Sequence, residues 1–223
     1  MNKEILGYYD NKETSCSTEK LTKIMSLIPN KNEGLALDVG CGNAYYSAYL
    51  CSRGYHYTGI DSSETLINEA QKKGINVIRG DIENNFIWDK LDNNYYDLII
   101  LSDVLEHVFD TDKLISKCYL KLKFDGVLII TIPNIAAFNT RLRLLIGERP
   151  LVIDCRSNIV NAGHIRAFDY SDIMNILTEH DMKVVKVLGH ALHLPLITSF
   201  VLADIFPKLS TGFIIKIMKG VQK

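Results

Sequence analysis

The chain lacks an excess of positive charge: 25 Lys and Arg stand against 26 Asp and Glu, a formal net charge of −1. Proteins that live on duplex nucleic acid or an anionic membrane usually carry a basic surplus, so no nucleic-acid partner is expected. It also lacks a cysteine pattern. Cys16, Cys41, Cys51, Cys118 and Cys155 are odd in number, scattered and never spaced C-x-x-C, which argues against a disulfide framework or a zinc knuckle. The amino-terminal MNKEILGYYDNKE has no apolar segment of the secretory kind. The longest uncharged stretch toward the carboxyl end, Val187–Ala203, contains Pro195 and is shorter than the ~20 apolar residues of a spanning helix. The expectation is a reduced, cytoplasmic protein with no transmembrane segment.

What is present is enough apolar material for a core, at 47% hydrophobic and 23% charged residues, and a length that suits a single domain over 1–223. Short apolar runs alternate with helical patterns. Leu35–Val39 reads as a strand, followed by a glycine turn and a helix from about Ala44 to Arg53. Tyr57–Ile60 is a second strand, with a helix from Ser62 or Ser63 to Lys73. Ile75–Ile78, Asp97–Leu101 and Val127–Ile132 are the next strands, with a helix near Asp112–Lys123 between the last two. A helix at Ser171–His180 and strands at Lys183–Leu188 and Phe213–Met218 complete the pattern, and 188–210 forms an apolar loop and helix. Strands separated by helices imply right-handed crossovers, hence an α/β fold with a mainly parallel sheet and helices on both faces.

The strongest local signal is Leu37-Asp38-Val39-Gly40-Cys41-Gly42-Asn43 at the exit of the first strand. Gly40 and Gly42 let the backbone turn tightly and a ligand approach the following helix. Asp61, 19 residues beyond Gly42, ends the second strand, where a carboxylate meets ribose hydroxyls. A dinucleotide site wants a third glycine beside the pyrophosphate. Tyr45 stands there instead, which disfavours a nucleotide-dependent reductase and fits a nucleoside without a pyrophosphate.

With these residues in register, the chain resembles the class I S-adenosylmethionine-dependent methyltransferases over about Tyr8–Lys219, in particular the small-molecule O-methyltransferases of ubiquinone and glycan biosynthesis. LDVGCG (Leu37–Gly42), GIDSS (Gly59–Ser63), RGDIE (Arg79–Glu83) and DLIILSDVLEHV (Asp97–Val108) carry the likeness, with GVLIITIPN and GHIRAFDYSDIMNIL following. The resemblance implies a Rossmann-like seven-stranded sheet with its last strand antiparallel, and S-adenosyl-L-methionine as cofactor. It assigns Asp38, Gly40, Cys41, Gly42 and Ser102 to the methionine end, Asp61 and Ser62 to the ribose, Asp81 and Ile82 to the adenine, and Tyr9 to closure over the cofactor. It makes 134–170 a substrate-cover insertion.

An oxygen acceptor must lose a proton, so a general base is expected. An imidazole, with an ordinary pKa of ~6.5, suits that task, and His107 and His164 are the candidates. Asp103 and Glu106 read as structural or cofactor-side groups. No metal is expected, since His190-x-x-His193 lacks a third ligand. Arg149, Arg156 and Arg166, in an arginine-rich stretch, are assigned to the acceptor, because guanidinium pairs with phosphate or carboxylate. The acceptor is then a small molecule, anionic or lipid-linked, with a hydroxyl to methylate. Val187–Phe206 offers an acceptor wall, a membrane patch, packing on the sheet or a homodimer contact. A non-catalytic protein that binds the cofactor or a partner is the rival reading.

Overall fold

A computed structural model describes residues 17–150, 152, 163–180 and 182–219. Its first element, α1 (Thr18–Leu27), has no counterpart in the sequence reading. Ser17 caps it, the hydroxyl accepting the Lys20 N–H at 3.2 Å, and Leu21, Ile24 and Met25 are buried. The elements β1 (Gly34–Val39), α2 (Ser47–Ser52), β2 (Tyr55–Asp61), α3 (Glu64–Lys72), β3 (Val77–Arg79), α4 (Asn85–Asp89), β4 (Tyr96–Ser102), α5 (Thr111–Lys121) and β5 (Leu122–Pro133) follow. Then come α6 (Phe138–Leu145), α7 (Tyr170–Glu179), β6 (Lys183–Gly189), β7 (Leu192–Leu194), β8 (Ile197–Ser199), α8 (Phe200–Ile205) and β9 (Gly212–Met218).

Seven strands form one sheet in the order β3-β2-β1-β4-β5-β9-β6. The pairings from β3 through β5 are parallel, and β9 runs antiparallel to both neighbours. The mostly parallel Rossmann-like sheet with an antiparallel last strand is therefore present. Strict alternation along the strands explains why it is covered on both sides. Leu98, Ile100, Val127, Ile129 and Ile214 join one core; Ile99, Leu101, Leu128, Ile130 and Ile215 join the other. Strands buried on both faces read as continuous apolar runs, which is why DLIIL and VLIITI were readable. Each fully buried Leu or Ile favours this arrangement by about 1.5–3 kcal/mol over exposure.

Boundaries differ where local geometry departs from pattern. The helix expected from Ala44 begins only at Ser47: Ala44 is left-handed (φ 59°), and the N-cap Tyr46 contributes no side-chain capping bond. The third strand starts two residues late, at Val77, and the fifth reaches back to Leu122 across a register shift between Tyr96 and Leu98. The apolar 188–210 stretch is a β7–β8 hairpin followed by α8, with Ala191, Leu192 and Ala203 buried but Leu196, Ile197 and Val201 exposed. Among the described residues, no helix is long and apolar enough to cross a membrane.

In such a sheet, strand order reverses between β1 and β4, and crossover connections leave in opposite directions. The crevice that results at the carboxyl ends of the strands is where an open α/β sheet takes its ligand.

Candidate functional site

A cavity of about 800 Å³ lies at that crevice, within the range of small-molecule sites. Asp38, Gly40, Cys41 and Gly42 line it from the end of β1, Asp61 and Ser62 from β2, and Asp81 and Ile82 from β3. Ser102, His107 and His164 line it as well. Tyr9 and Arg156 fall outside the described residues.

The glycine loop is built by hydrogen bonds to the end of β2. Gly40 and Cys41 donate their N–H groups to the Ile60 carbonyl at 2.8 and 3.0 Å. Both glycines are left-handed, at φ 72° and 53°. The Asp61 carboxylate then ties the loop to the next helix: Oδ2 accepts the Gly42 N–H at 2.8 Å and Oδ1 the Ser63 N–H at 2.9 Å. Asp81 forms its own turn, accepting the Glu83 N–H at 2.9 Å, and Ile82 is held by the Trp88 indole, which donates to its carbonyl at 2.7 Å. Burial, reinforced by Asp38 and Asp61, pushes the Cys41 thiol up, so it is no ready thiolate.

Asp38 is buried beneath the loop and accepts the Tyr57 hydroxyl at 2.8 Å. Burial raises its carboxyl to about 7, the Tyr57 bond opposes the shift, and Asp61 adds to it. A carboxyl whose folded-state pKa is raised stabilises the fold fully below its unfolded pKa, and that contribution is lost as pH rises through about 7. Asp38→Asn is therefore expected to melt several degrees above the wild type at pH 8 and alongside it only below about pH 4, at about 2–4 °C per kcal/mol for a chain of this size. Parallel melting curves of the two proteins across this pH range would contradict the assignment.

On the other side of the crevice, β4 and β5 are laced together by hydroxyls. Ser102 Oγ lies 2.9 Å from the Tyr46 hydroxyl and 3.0 Å from Thr131 Oγ1, which donates to Asp103 Oδ1 at 3.0 Å. Asp103 is left-handed (φ 54°) and pairs with the Lys20 ammonium of α1. The short 3-10 turn Leu105–His107 follows from this bend. It carries Glu106 inward until only 1% is exposed.

Glu106, read from sequence as structural or cofactor-side, lies in the same cavity as the glycine loop. Both its carboxylate oxygens are buried with no hydrogen-bond partner among the described residues, and it lines the cavity. Burial, with Asp103 nearby, holds its carboxyl well above the usual carboxylate range. His107 and His164 flank it. Their rings are 4.7 Å apart, and His164 Nε2 is 3.9 Å from Glu106 Oε1. No spacing rule announces this trio, because residues 106–107 and 164 meet through long-range bonds: the Ile165 and Arg166 N–H groups donate to the Glu106 carbonyl, and His107 Nδ1 lies 2.9 Å from the Gly163 carbonyl.

Among the described residues, the arginines do not converge on the cavity. Arg141 donates to the Ala136 carbonyl at 2.7 Å and Arg143 pairs with Glu148 at 2.7 Å. Arg166, expected at the acceptor, instead braces the turn after His107 through the carbonyls of Val108 (3.0 Å) and Phe109. Among the described residues, no arginine lines the cavity, Arg149 included. His190 lines the cavity but His193 points to Thr198 at 2.8 Å, so the H-x-x-H pair does not act together.

Residues 37–130 match the family model described as a methyltransferase domain. Over 104 residues the chain is 38% identical to the ubiquinone biosynthesis O-methyltransferase of Coxiella burnetii strain Dugway 5J108-111, and over 105 residues 35% identical to that of Rickettsia prowazekii. These matches cover 44% of this chain and 43% and 39% of the relatives, so the chain matches less than half of their length. Solved structures extend the likeness to the whole fold. An S-adenosylmethionine-dependent methyltransferase from Thermotoga maritima superposes with a TM-score of 0.66 at 19% identity, covering 96% of this chain and 91% of the other. One from Archaeoglobus fulgidus gives 0.65 at 19% identity, covering 91% and 95%. The site suits this cofactor on its own geometry: a left-handed glycine turn for close approach, carboxylates at the ends of β1 and β2, and a cavity large enough for a nucleoside.

Proposed function

We propose that this chain, which carries a class I S-adenosylmethionine-dependent methyltransferase domain with S-adenosyl-L-methionine as its cofactor, is an enzyme that methylates a hydroxyl oxygen of a small-molecule acceptor. The observation that carries the reading is one cavity lined both by the glycine loop with Asp61 and by the Glu106, His107 and His164 trio. The cofactor supplies a methyl group on a sulfonium, which an oxygen displaces in line while the C–S electron pair stays on sulfur. The protein's task is to hold the two reactants at near-attack distance and exclude water. Asp61 and the loop orient the nucleoside, and Asp38 faces the cationic methionine end. The trio is where the acceptor hydroxyl is held and loses its proton.

A hydroxyl acceptor is supported by that trio, since an oxygen nucleophile needs a proton acceptor, and by the likeness to O-methyltransferases of ubiquinone biosynthesis. A quinone, glycan or secondary metabolite is the acceptor class. A lipid-linked form draws support from exposed apolar side chains on adjoining elements, Leu145 and Ile146 at the end of α6, Leu196 in the hairpin and Val201 in α8. An anionic acceptor draws none from Arg166. His107→Gln tests the reading: turnover of a labelled methyl donor with a phenolic acceptor is expected to fall at least ~10-fold while cofactor affinity changes little. Equal losses in both would overturn the role of the trio and favour a cofactor-binding protein without catalysis.

A further inference from the structure

We propose that His190, seated against Ser17 of α1, is a specificity-determining residue that hydrogen-bonds a second polar group of the acceptor, apart from the hydroxyl that is methylated. The pocket stands on the geometry alone; calling its occupant the acceptor rests on the function proposed above.

Strand order says which end of the cavity His190 serves. The residues that suit the nucleoside leave the ends of β1, β2 and β3, on one half of the sheet. On the other half, β9 runs antiparallel between β5 and β6, and its register sets Gly212 beside Pro133 and Phe213 beside Gly189. Pro133, Gly212, Phe213 and His190 therefore form one wall of the cavity, across β4 from the glycine loop. A nucleoside anchored at β1 to β3 leaves this wall to the second reactant.

Three observations make His190 the polar group of that wall. Its mount is rigid: its N–H donates to the Gly212 carbonyl at 2.9 Å, and the Thr211 N–H donates to the Ala191 carbonyl at 2.8 Å. The preceding Gly189 is boxed in, since a Cβ there would stand 2.2 Å from the Ala203 carbonyl oxygen. Second, only one ring nitrogen is engaged. Nε2 lies 3.2 Å from Ser17 Oγ, while Nδ1 has no hydrogen-bond partner among the described residues. A half-buried nitrogen without a partner is costly unless a ligand or water meets it. Third, burial, and after it the Lys20 ammonium, holds the imidazole below its ordinary pKa against the pull of Asp103. The ring is then neutral at pH 7, with one donor and one acceptor nitrogen, and suits a neutral group such as a hydroxyl or carbonyl. The floor beside it is apolar. Ile132 and Phe213 are each 1% exposed, and the Phe213 ring meets Tyr170 edge-on at 5.6 Å. The pocket reads an apolar body that carries a polar substituent.

Phenol and the three benzenediols are the probes, because the added hydroxyl both donates and accepts. Dissociation constants are measured by NMR titration of the full chain in excess S-adenosylhomocysteine, so that no methyl group is transferred. At least one benzenediol is expected to bind about fivefold or more tightly than phenol, as one neutral hydrogen bond gives. His190→Phe keeps a ring and removes its nitrogens, and is expected to erase that gain, with circular dichroism reporting that it is folded. If it does not fold, His190→Ala decides. No gain in the wild type, or a gain retained in a folded variant, overturns the proposal and leaves His190 as a tie between α1 and β6. A loss of about tenfold or more in S-adenosylhomocysteine affinity in folded His190→Phe would overturn it as well, by placing His190 at the cofactor. A gain that depends on His190, without methyl transfer from S-adenosylmethionine, would keep the pocket and overturn the methyl-transfer reading.

Discussion

Asp61→Ala is expected to weaken S-adenosylmethionine binding by about 100-fold. The carboxylate accepts the Gly42 N–H at 2.8 Å and the Ser63 N–H at 2.9 Å, and in the function proposed above its remaining lone pairs accept from ribose hydroxyls. Hydrogen bonds to a charged group contribute about 1.5–3 kcal/mol each. Losing two with the ribose removes roughly 3 kcal/mol or more, and each 1.4 kcal/mol is tenfold in affinity. The alanine also frees the glycine loop from the start of α3, so part of the loss is preorganisation. Asp61→Asn retains one acceptor oxygen and is expected to lose about tenfold. Titration calorimetry with S-adenosylmethionine and S-adenosylhomocysteine checks both, and the two ligands should lose affinity equally because they share the ribose. Wild-type affinity in Asp61→Ala would remove Asp61 from the cofactor site. A larger loss for S-adenosylmethionine would move it to the sulfonium.

Why Asp61 could be read from the sequence and Glu106 could not is a matter of range. The glycine loop and Asp61 belong to consecutive β-α-β segments, where strand ends, turns and spacing are dictated by local geometry. The parallel pairing of β1 with β2, Val39 opposite Ile60, brings residues 40–42 to residue 61. The strands were legible for a similar reason: two-sided burial leaves an apolar run that no helix-period pattern imitates. The Glu106 trio depends on a long-range event, the return of residues 163–166 to the 3-10 turn, and on the absence of a partner for a carboxylate. Neither leaves a periodic mark. The sequence places Glu106 no more closely than as a structural or cofactor-side group. Here the left-handed Asp103, held by Thr131 and Lys20, turns the chain so that it faces the cavity. Composition likewise gives no geometry for the arginine-rich stretch. Composition registers charge but not that Arg141, Arg143 and Arg166 each bond their own chain. The helix α1 has no counterpart in the sequence reading, although its 10 residues carry a Ser17 cap and a buried face of Leu21, Ile24 and Met25.

Gly40→Ala is expected to destabilise the protein by about 3 kcal/mol and to damage both sides of the site at once. Two costs add. An L-residue at φ 72° loses about 1–2 kcal/mol to clash between Cβ and its own backbone. The new Cβ would also stand 2.7 Å from Val104 Cγ2, and overpacking of this kind costs about 1–3 kcal/mol. Val104 is itself buried in the bend between β4 and Glu106. Pushing it moves the turn that carries Glu106 and His107, so a substitution in the cofactor loop is felt by the acceptor groups. A double-mutant cycle separates the costs. In a Val104→Ala background the steric part disappears and only the backbone part remains, so Gly40→Ala should cost about 1–2 kcal/mol less there by denaturant unfolding. Cofactor affinity, which depends on the left-handed turn, should stay impaired in the double variant. If Gly40→Ala costs the same in both backgrounds, the contact with Val104 is not what excludes a side chain at position 40, and the two sides of the cavity are not coupled through it.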